Sequence, residues 1–142
     1  MKLRPEISRE VLNERGSGFF PGHMGIEVQA LTPGSIFARM PVTPQLLAPN
    51  GFLHAAAVIA LADTACGYGT IAHLPDGAQS FTTLELKSNF LATVREGTLA
   101  CEAHAEHLGK TTQVWDAVVT DEQSGRKLAL FRCSQMILWP KS

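Results

Sequence analysis

Hydrophobic and polar positions divide this chain into one long apolar block and several shorter alternating ones. The block covers residues 53–74 and reads LHAAAVIALADTACGYGTIAHL. Nearly every position in it is apolar or small, and one carboxylate, Asp63, stands near its middle. No proline interrupts the run before Pro75, and Pro75, Asp76 and Gly77 form a stop. Asn50-Gly51 just upstream suits a turn that leads into a helix. The pattern predicts a helix of several turns over 53–74.

At 100° per residue, Val58, Leu61, Tyr68 and Ile71 gather broadly on one side of that helix. The side carrying Asp63 holds Ala56, Ala60, Cys66, Gly67 and Thr70, with Ile59 the only large neighbour. A strip of small residues leaves room for a ligand or for another backbone. Two readings follow: a working cleft, or a closely packed face on which Asp63 finds a hydrogen bond. An ionised carboxylate in apolar surroundings must be paired, solvated or protonated. The run also has the length of a membrane span. The central Asp63, the terminal His54 and His73, the interior Gly and Thr positions and the missing Arg/Lys flanks argue against that reading.

The rest of the chain alternates with shorter periods. Residues 5–15 read as a short amphipathic helix with Ile7, Val11 and Leu12 as its stripe and Gly16 as its stop. Residues 17–25 read as a loop, with Phe19 and Phe20 expected to plug a core or an interface. Two strands are expected at 25–32 and 35–42 around Thr32-Pro33-Gly34, then a proline-containing loop at 43–50. After the long helix come strands at 79–90, 98–107, 111–120 and 127–139. The second of these alternates cleanly, with Leu99, Cys101, Ala103 and Ala105 against Glu102, His104 and Glu106. Short polar turns between the last strands predict antiparallel neighbours. A helix apolar nearly all round needs cover nearly all round. The expected class is therefore α+β, one curved antiparallel sheet wrapped around one long central helix. The 142 residues are expected to form a single domain, and the open edges of such a sheet predict a dimer.

Bulk properties narrow the function classes. A net charge of −1 gives no general basic field for nucleic acid. Cys66, Cys101 and Cys133 are an odd number in apolar stretches without a CxxC pair, so buried free thiols in a reducing compartment are expected. The start, MKLRPEISREV, has no apolar secretory region, and a cytoplasmic location is the expectation. The five histidines lack metal-ligand spacing, so no metal site is expected.

Three features can form a site. The helix start near His54 and Ala55 presents free N–H groups and a positive dipole end, suited to a carbonyl oxygen that gains charge. Asp63 lies nine residues beyond His54, about 13 Å by helix rise. One chain's helix start and its own Asp63 are too far apart to act on one atom, so they meet only if a second copy lies alongside. The third feature is the hydroxyl pair Thr82-Thr83, which can hold a water or simply follow β-propensity.

Gly51-Phe52-Leu53-His54-Ala55-Ala56, followed seven residues later by Asp63, resembles the hotdog-fold acyl-CoA thioesterases of the phenylacetate-pathway and 4-hydroxybenzoyl-CoA type. Their pattern is an Asn or Gln, then Gly-x-x-His-Gly-Gly, then an Asp or Glu on the central helix. The stretch FTTLELKSNFLATVREGTLACEAHAEHLGKT adds to the likeness, which runs from about Gly22 to Leu138. The resemblance implies a hotdog fold and hydrolysis of an acyl-CoA thioester, with aromatic acyl groups among the candidates, without a cofactor. It implies that Asp63 is the nucleophile or general base and that the Ala55 N–H of the partner subunit polarises the carbonyl. By the same likeness Thr83 orients water and His54 shapes the oxyanion end. It further implies homodimers, often paired into tetramers. Two positions depart from the pattern: Ala55-Ala56 replaces Gly-Gly, and Ala48 stands where relatives carry the amide, leaving Asn50 as the nearby substitute. Arg95, Lys110, Arg126 and Lys127 are candidates to meet CoA phosphates. A non-catalytic acyl-CoA-binding protein on the same fold is an alternative. A hydratase or dehydratase is another, but Gly18-Phe19-Phe20-Pro21-Gly22 has Phe where that class carries its histidine.

Overall fold

The computed structural model describes residues 1–142. Its elements run α1 (Arg9–Gly16), α2 (Phe20–His23), β1 (Glu27–Thr32), β2 (Ser35–Pro41), a 3-10 turn (Pro44–Leu46), α3 (Ala55–Ala72), β3 (Ser80–Phe90), β4 (Thr98–Leu108), β5 (Thr112–Asp121) and β6 (Lys127–Leu138). The six strands form one antiparallel sheet in the order β1-β2-β4-β5-β6-β3. The sheet wraps α3, as the apolar block requires.

α3 begins two residues later than the apolar run because His54 serves as its N-cap, the imidazole Nδ1 accepting from the Ala56 N–H at 2.9 Å. At the other end Arg4 ties the N-terminal strap to the helix exit. Its guanidinium donates to the carbonyls of Leu74, Pro75 and Ala78, and its N–H donates to Ala72. Interior Gly67 and Gly69 each cost the helix about 1 kcal/mol relative to alanine. Their reason is space: a Cβ on Gly69 would lie 2.7 Å from the Trp115 ring, and one on Gly67 would lie 3.0 Å from Phe81. α3 is long and apolar enough to cross a membrane, but most of it is buried within this fold.

Strand alternation sets the inner layer. Ile36, Ala38 and Met40 of β2, Leu99, Cys101 and Ala103 of β4, Trp115, Ala117 and Val119 of β5, and Phe131 and Cys133 of β6 all face the helix. The three cysteines are free and buried. Burial pushes the Cys101 thiol up to about 12, and contact with Cys133 together with burial pushes the Cys66 thiol up.

Two local expectations change. Residues 17–25 are not all loop, because Phe20–His23 close one helical turn. Phe19 and Phe20 do not plug the core; they are 71% and 58% exposed on that turn. Apolar character pointed inward, but the turn stands off the sheet beside the start of α3, where Phe20 walls a surface pocket.

Candidate active site

Asp63 projects from the middle of α3, one turn before Gly67. Gly67 lies against the ring of Phe81, so this face of the helix runs along β3. The Oδ1 atom of Asp63 is buried and has no hydrogen-bond partner. Burial alone raises its carboxyl above the ordinary aspartate value. Burial thus favours the protonated form of this carboxyl relative to a solvated aspartate.

The start of α3 carries the complementary feature. The Ala56 N–H is held by His54 Nδ1, and the Ala57 N–H by the His54 carbonyl at 2.9 Å. The Ala55 N–H has no partner, and Ala55 is exposed. It is an unengaged donor at the positive end of an 18-residue helix. Because His54 Nδ1 accepts, the ring proton of neutral His54 sits on Nε2. Beside this turn opens an apolar cavity of about 320 Å³ lined by Phe20, Met24, Leu46, Leu47, His54 and Ala57. A larger cavity, about 510 Å³, lies at the opposite end of α3 between the N-terminal strap and Lys110, far from both features.

Asn50 does not cap the helix and is not buried. Its Oδ1 accepts from the Phe52 N–H at 3.1 Å, bracing the turn in which Gly51 has φ +87° and donates to the Ala48 carbonyl. Phe52, two residues before His54, in turn carries Arg95, whose guanidinium lies 4.2 Å from the ring centroid. Lys110 instead lies over Trp139, at the far end of the helix.

Thr83 and Thr82 fall on opposite faces of β3. Thr83 pairs in register with Gln135 of β6, whose side chain faces α3, so Thr83 shares the inner face. Thr82 pairs with Met136 and faces away. The register shifts between Thr83 and Glu85, leaving Leu84 as the extra residue of a bulge. Asp63 and Thr83 thus lie on facing elements, whereas Ala55 lies eight residues from Asp63, about 12 Å along the axis.

Gln135 is a residue the sequence reading passed over. It is wholly buried, and neither amide atom has a partner. The signal was present: in the inner-face series Phe131, Cys133, Gln135, Ile137 it is the one polar amide.

Comparison with known proteins places the chain in a family. The thioesterase superfamily profile matches residues 50–127, which span the Asn50 turn, α3 and strands β3 to β5. The chain is 32% identical to the 1,4-dihydroxy-2-naphthoyl-CoA hydrolase of Listeria monocytogenes, over 78% of this chain and 89% of that protein. It is 31% identical to the enzyme of the same name from Escherichia coli, over 97% and 100%. A crystal structure of a mutant thioesterase PA1618 from Pseudomonas aeruginosa superposes with a TM-score of 0.91 at 28% identity, covering 97% of this chain and 99% of that one. The chain therefore belongs to the thioesterase superfamily, as a hotdog-fold enzyme that acts on thioesters.

Proposed function

We propose that the protein hydrolyses an acyl-CoA thioester at a site shared by two copies of the chain, with Asp63 from one and the Ala55 N–H from the other. The observation that carries this reading is the pair of unengaged groups on one helix, a buried carboxylate oxygen and an exposed first-turn donor, too far apart to serve one carbonyl in cis. An open sheet edge at β3, with Leu84, Leu86 and Phe90 exposed along it, supports pairing of two copies there. Exposed Leu130 and Met136 on the outer face of the sheet offer a second surface for assembly into tetramers.

In this mechanism the thioester oxygen accepts from the Ala55 N–H, which stabilises the charge it gains. A water held by Thr83 gives its proton to Asp63 as its oxygen bonds to the carbonyl carbon. The tetrahedral intermediate then breaks its C–S bond, and the proton on Asp63 passes to the departing CoA sulfur. The products are the free acid and CoA, and no cofactor takes part. His54 fixes the first helical turn so that the Ala55 N–H stays free, and Asn50 holds the preceding turn. Arg95 meets the CoA phosphates at the mouth. The names of the Listeria and Escherichia relatives support an aromatic acyl group.

The test is a thiol-trapping assay on purified protein with aromatic, short and medium acyl-CoAs, repeated with Asp63→Asn. Thiol release that falls at least about 100-fold in the variant, the range for a lost general base, bears the proposal out. Full release by the variant overturns it.

A further inference from the structure

The chain enters α3 between two segments of opposite chemistry. Leu53 forms an antiparallel bridge with Leu47, and His54 is extended, so their successive N–H groups point to opposite sides. The Leu53 N–H donates to the Val94 carbonyl at 2.9 Å, and the His54 N–H donates to the Leu46 carbonyl at 2.9 Å. Each bond ties one segment to the helix entry. On the Val94 side the next residue is Arg95, stacked on the Phe52 ring. On the Leu46 side opens the apolar cavity of about 320 Å³. The unengaged Ala55 N–H follows directly, with a cationic flank on one side and an apolar one on the other.

The outer wall of the cavity is α2. Phe20 and Met24 are four residues apart and line the cavity together, and the Met24 N–H donates to the Phe20 carbonyl at 3.0 Å. The turn is held close to the end of α1: a Cβ on Gly22 would lie 2.4 Å from the Gly16 carbonyl oxygen. The Ile26 N–H donates to the Pro21 carbonyl at 3.0 Å and fixes its far side. Leu46, Leu47 and Ala57 complete the apolar lining, and Gln45 and His54 are its polar members. Phe20 lines this cavity yet is exposed over more than half of its surface, so part of its ring has no protein neighbour. An uncovered aromatic wall suits a flat apolar group.

We infer that this cavity receives the acyl part of the thioester and that Phe20 sets the acyl preference, while the CoA part runs to the Arg95 flank. This rests on the function proposed above, and every element of it belongs to the copy that supplies the Ala55 N–H. A thioester carbonyl carries its acyl group and its sulfur on opposite sides. The two flanks of the helix entry match them, apolar lining for the acyl group and a cation for phosphates. Size chooses among acyl groups. The cavity stands at the small end of ligand pockets, which span about 300–1,000 Å³. A group of one or two rings fills it, an acetyl group leaves it empty, and a long alkyl chain overruns it.

The experiment measures kcat/KM for acetyl-, benzoyl-, 2-naphthoyl- and palmitoyl-CoA with wild type, Phe20→Ala and Met24→Trp, together with inhibition by free CoA and thermal melting. Wild type is expected to favour the benzoyl and naphthoyl esters over the other two. Phe20→Ala is expected to lower the benzoyl-to-acetyl ratio of kcat/KM about tenfold, the scale for lost contact in an apolar pocket, without weakening inhibition by CoA. Met24→Trp fills the cavity and is expected to slow naphthoyl-CoA more than benzoyl-CoA, and both more than acetyl-CoA. Phe20 lies outside the core, so its removal is expected to leave the melting temperature nearly unchanged. Should Phe20→Ala fail to fold, Phe20→Leu, which keeps an apolar side chain without the flat face, is expected to shift the same ratio in the same direction. Equal losses on all four substrates in both variants overturn the inference, because a purely structural role acts on every substrate alike. Weaker inhibition by CoA with an unchanged acyl order also overturns it, since the cavity then holds the pantetheine arm. If Asp63→Asn is inactive while Phe20→Ala keeps the wild-type acyl order, the inference alone fails. If Asp63→Asn hydrolyses at the wild-type rate, the proposed function fails and takes the inference with it.

Discussion

Asn13 closes one edge of the sheet at Val28. Its Nδ2 donates to the Val28 carbonyl at 3.0 Å, and the Val28 N–H donates to its Oδ1 at 2.7 Å. Arg9 adds a bond to the neighbouring Gln29 carbonyl. α1 therefore takes up hydrogen-bonding groups that β1 would offer to another strand. β3, at the other edge, has no such cover. An open edge with exposed apolar residues is a template for pairing.

This asymmetry predicts where two copies meet. Leu84→Lys with Phe90→Lys places charges along the β3 edge without touching the core. The double variant is expected to sediment as a monomer with an unchanged far-ultraviolet spectrum, and to lose hydrolysis at a protein concentration where wild type is dimeric and active. A dimer that survives these charges would move the interface elsewhere.

The Ala55 donor can be removed almost alone. Ala55 is the first residue of α3, a position where proline is well accepted. His54, at φ −67° and ψ 135°, already has the extended backbone that a following proline needs. Ala55→Pro thus deletes one N–H. The expected loss in kcat is about 100- to 1,000-fold, the range for an oxyanion donor, with the melting temperature shifted by only a few degrees.

Burial raises the Asp63 carboxyl above its ordinary value, and this has two consequences for pH. The acidic limb of the kcat/KM profile is expected to inflect above the ordinary aspartate range, because the free enzyme needs the ionised form. For stability the sign is reversed. The folded state binds the Asp63 proton more tightly than the unfolded state does, so the contribution is greatest below the unfolded value and is lost as pH rises through the folded one. Asp63→Asn is therefore expected to melt higher than wild type at neutral pH. That gain should shrink as pH falls through the folded value, which melting curves from pH 3 to 8 would show.

Gly69 tests the packing of the helix on the sheet. A methyl group there would meet the fully buried Trp115 ring at 2.7 Å. Trp115 is held by its bond to Gln113 and cannot move aside freely. Gly69→Ala is expected to cost about 1–3 kcal/mol in urea denaturation, the range for overpacking, despite alanine's higher helix propensity.

Particular residues show how far the sequence reached. The apolar block around Asp63 predicted α3 because composition and length act locally, and the inner faces of β4 and β5 followed from alternation. Asp63 stood out as the one charge in that block. The sheet's open and closed edges were beyond reach, since Asn13 and Val28 are fifteen residues apart and nothing local links them. The turn expected at Asn50-Gly51 is present, with the Asn50 Oδ1 bracing it. Beyond that turn the cap of α3 is His54, which local composition did not single out. Phe19 and Phe20 stand outside the core because hydrophobicity does not say which surface an aromatic ring will cover. Gln135 was visible as a polar interruption, but its lack of partners exists only in three dimensions.

The shared site is tested most directly by mixing Asp63→Asn with Ala55→Pro, each inactive alone, under conditions where subunits exchange. In a two-fold dimer with composite sites, each mixed dimer rebuilds one intact site from an unaltered Asp63 and an unaltered Ala55 N–H. Random exchange of equal amounts is predicted to restore about a quarter of wild-type specific activity. A mixture that stays at the level of its two parents, with exchange verified by differential labelling, would contradict the account.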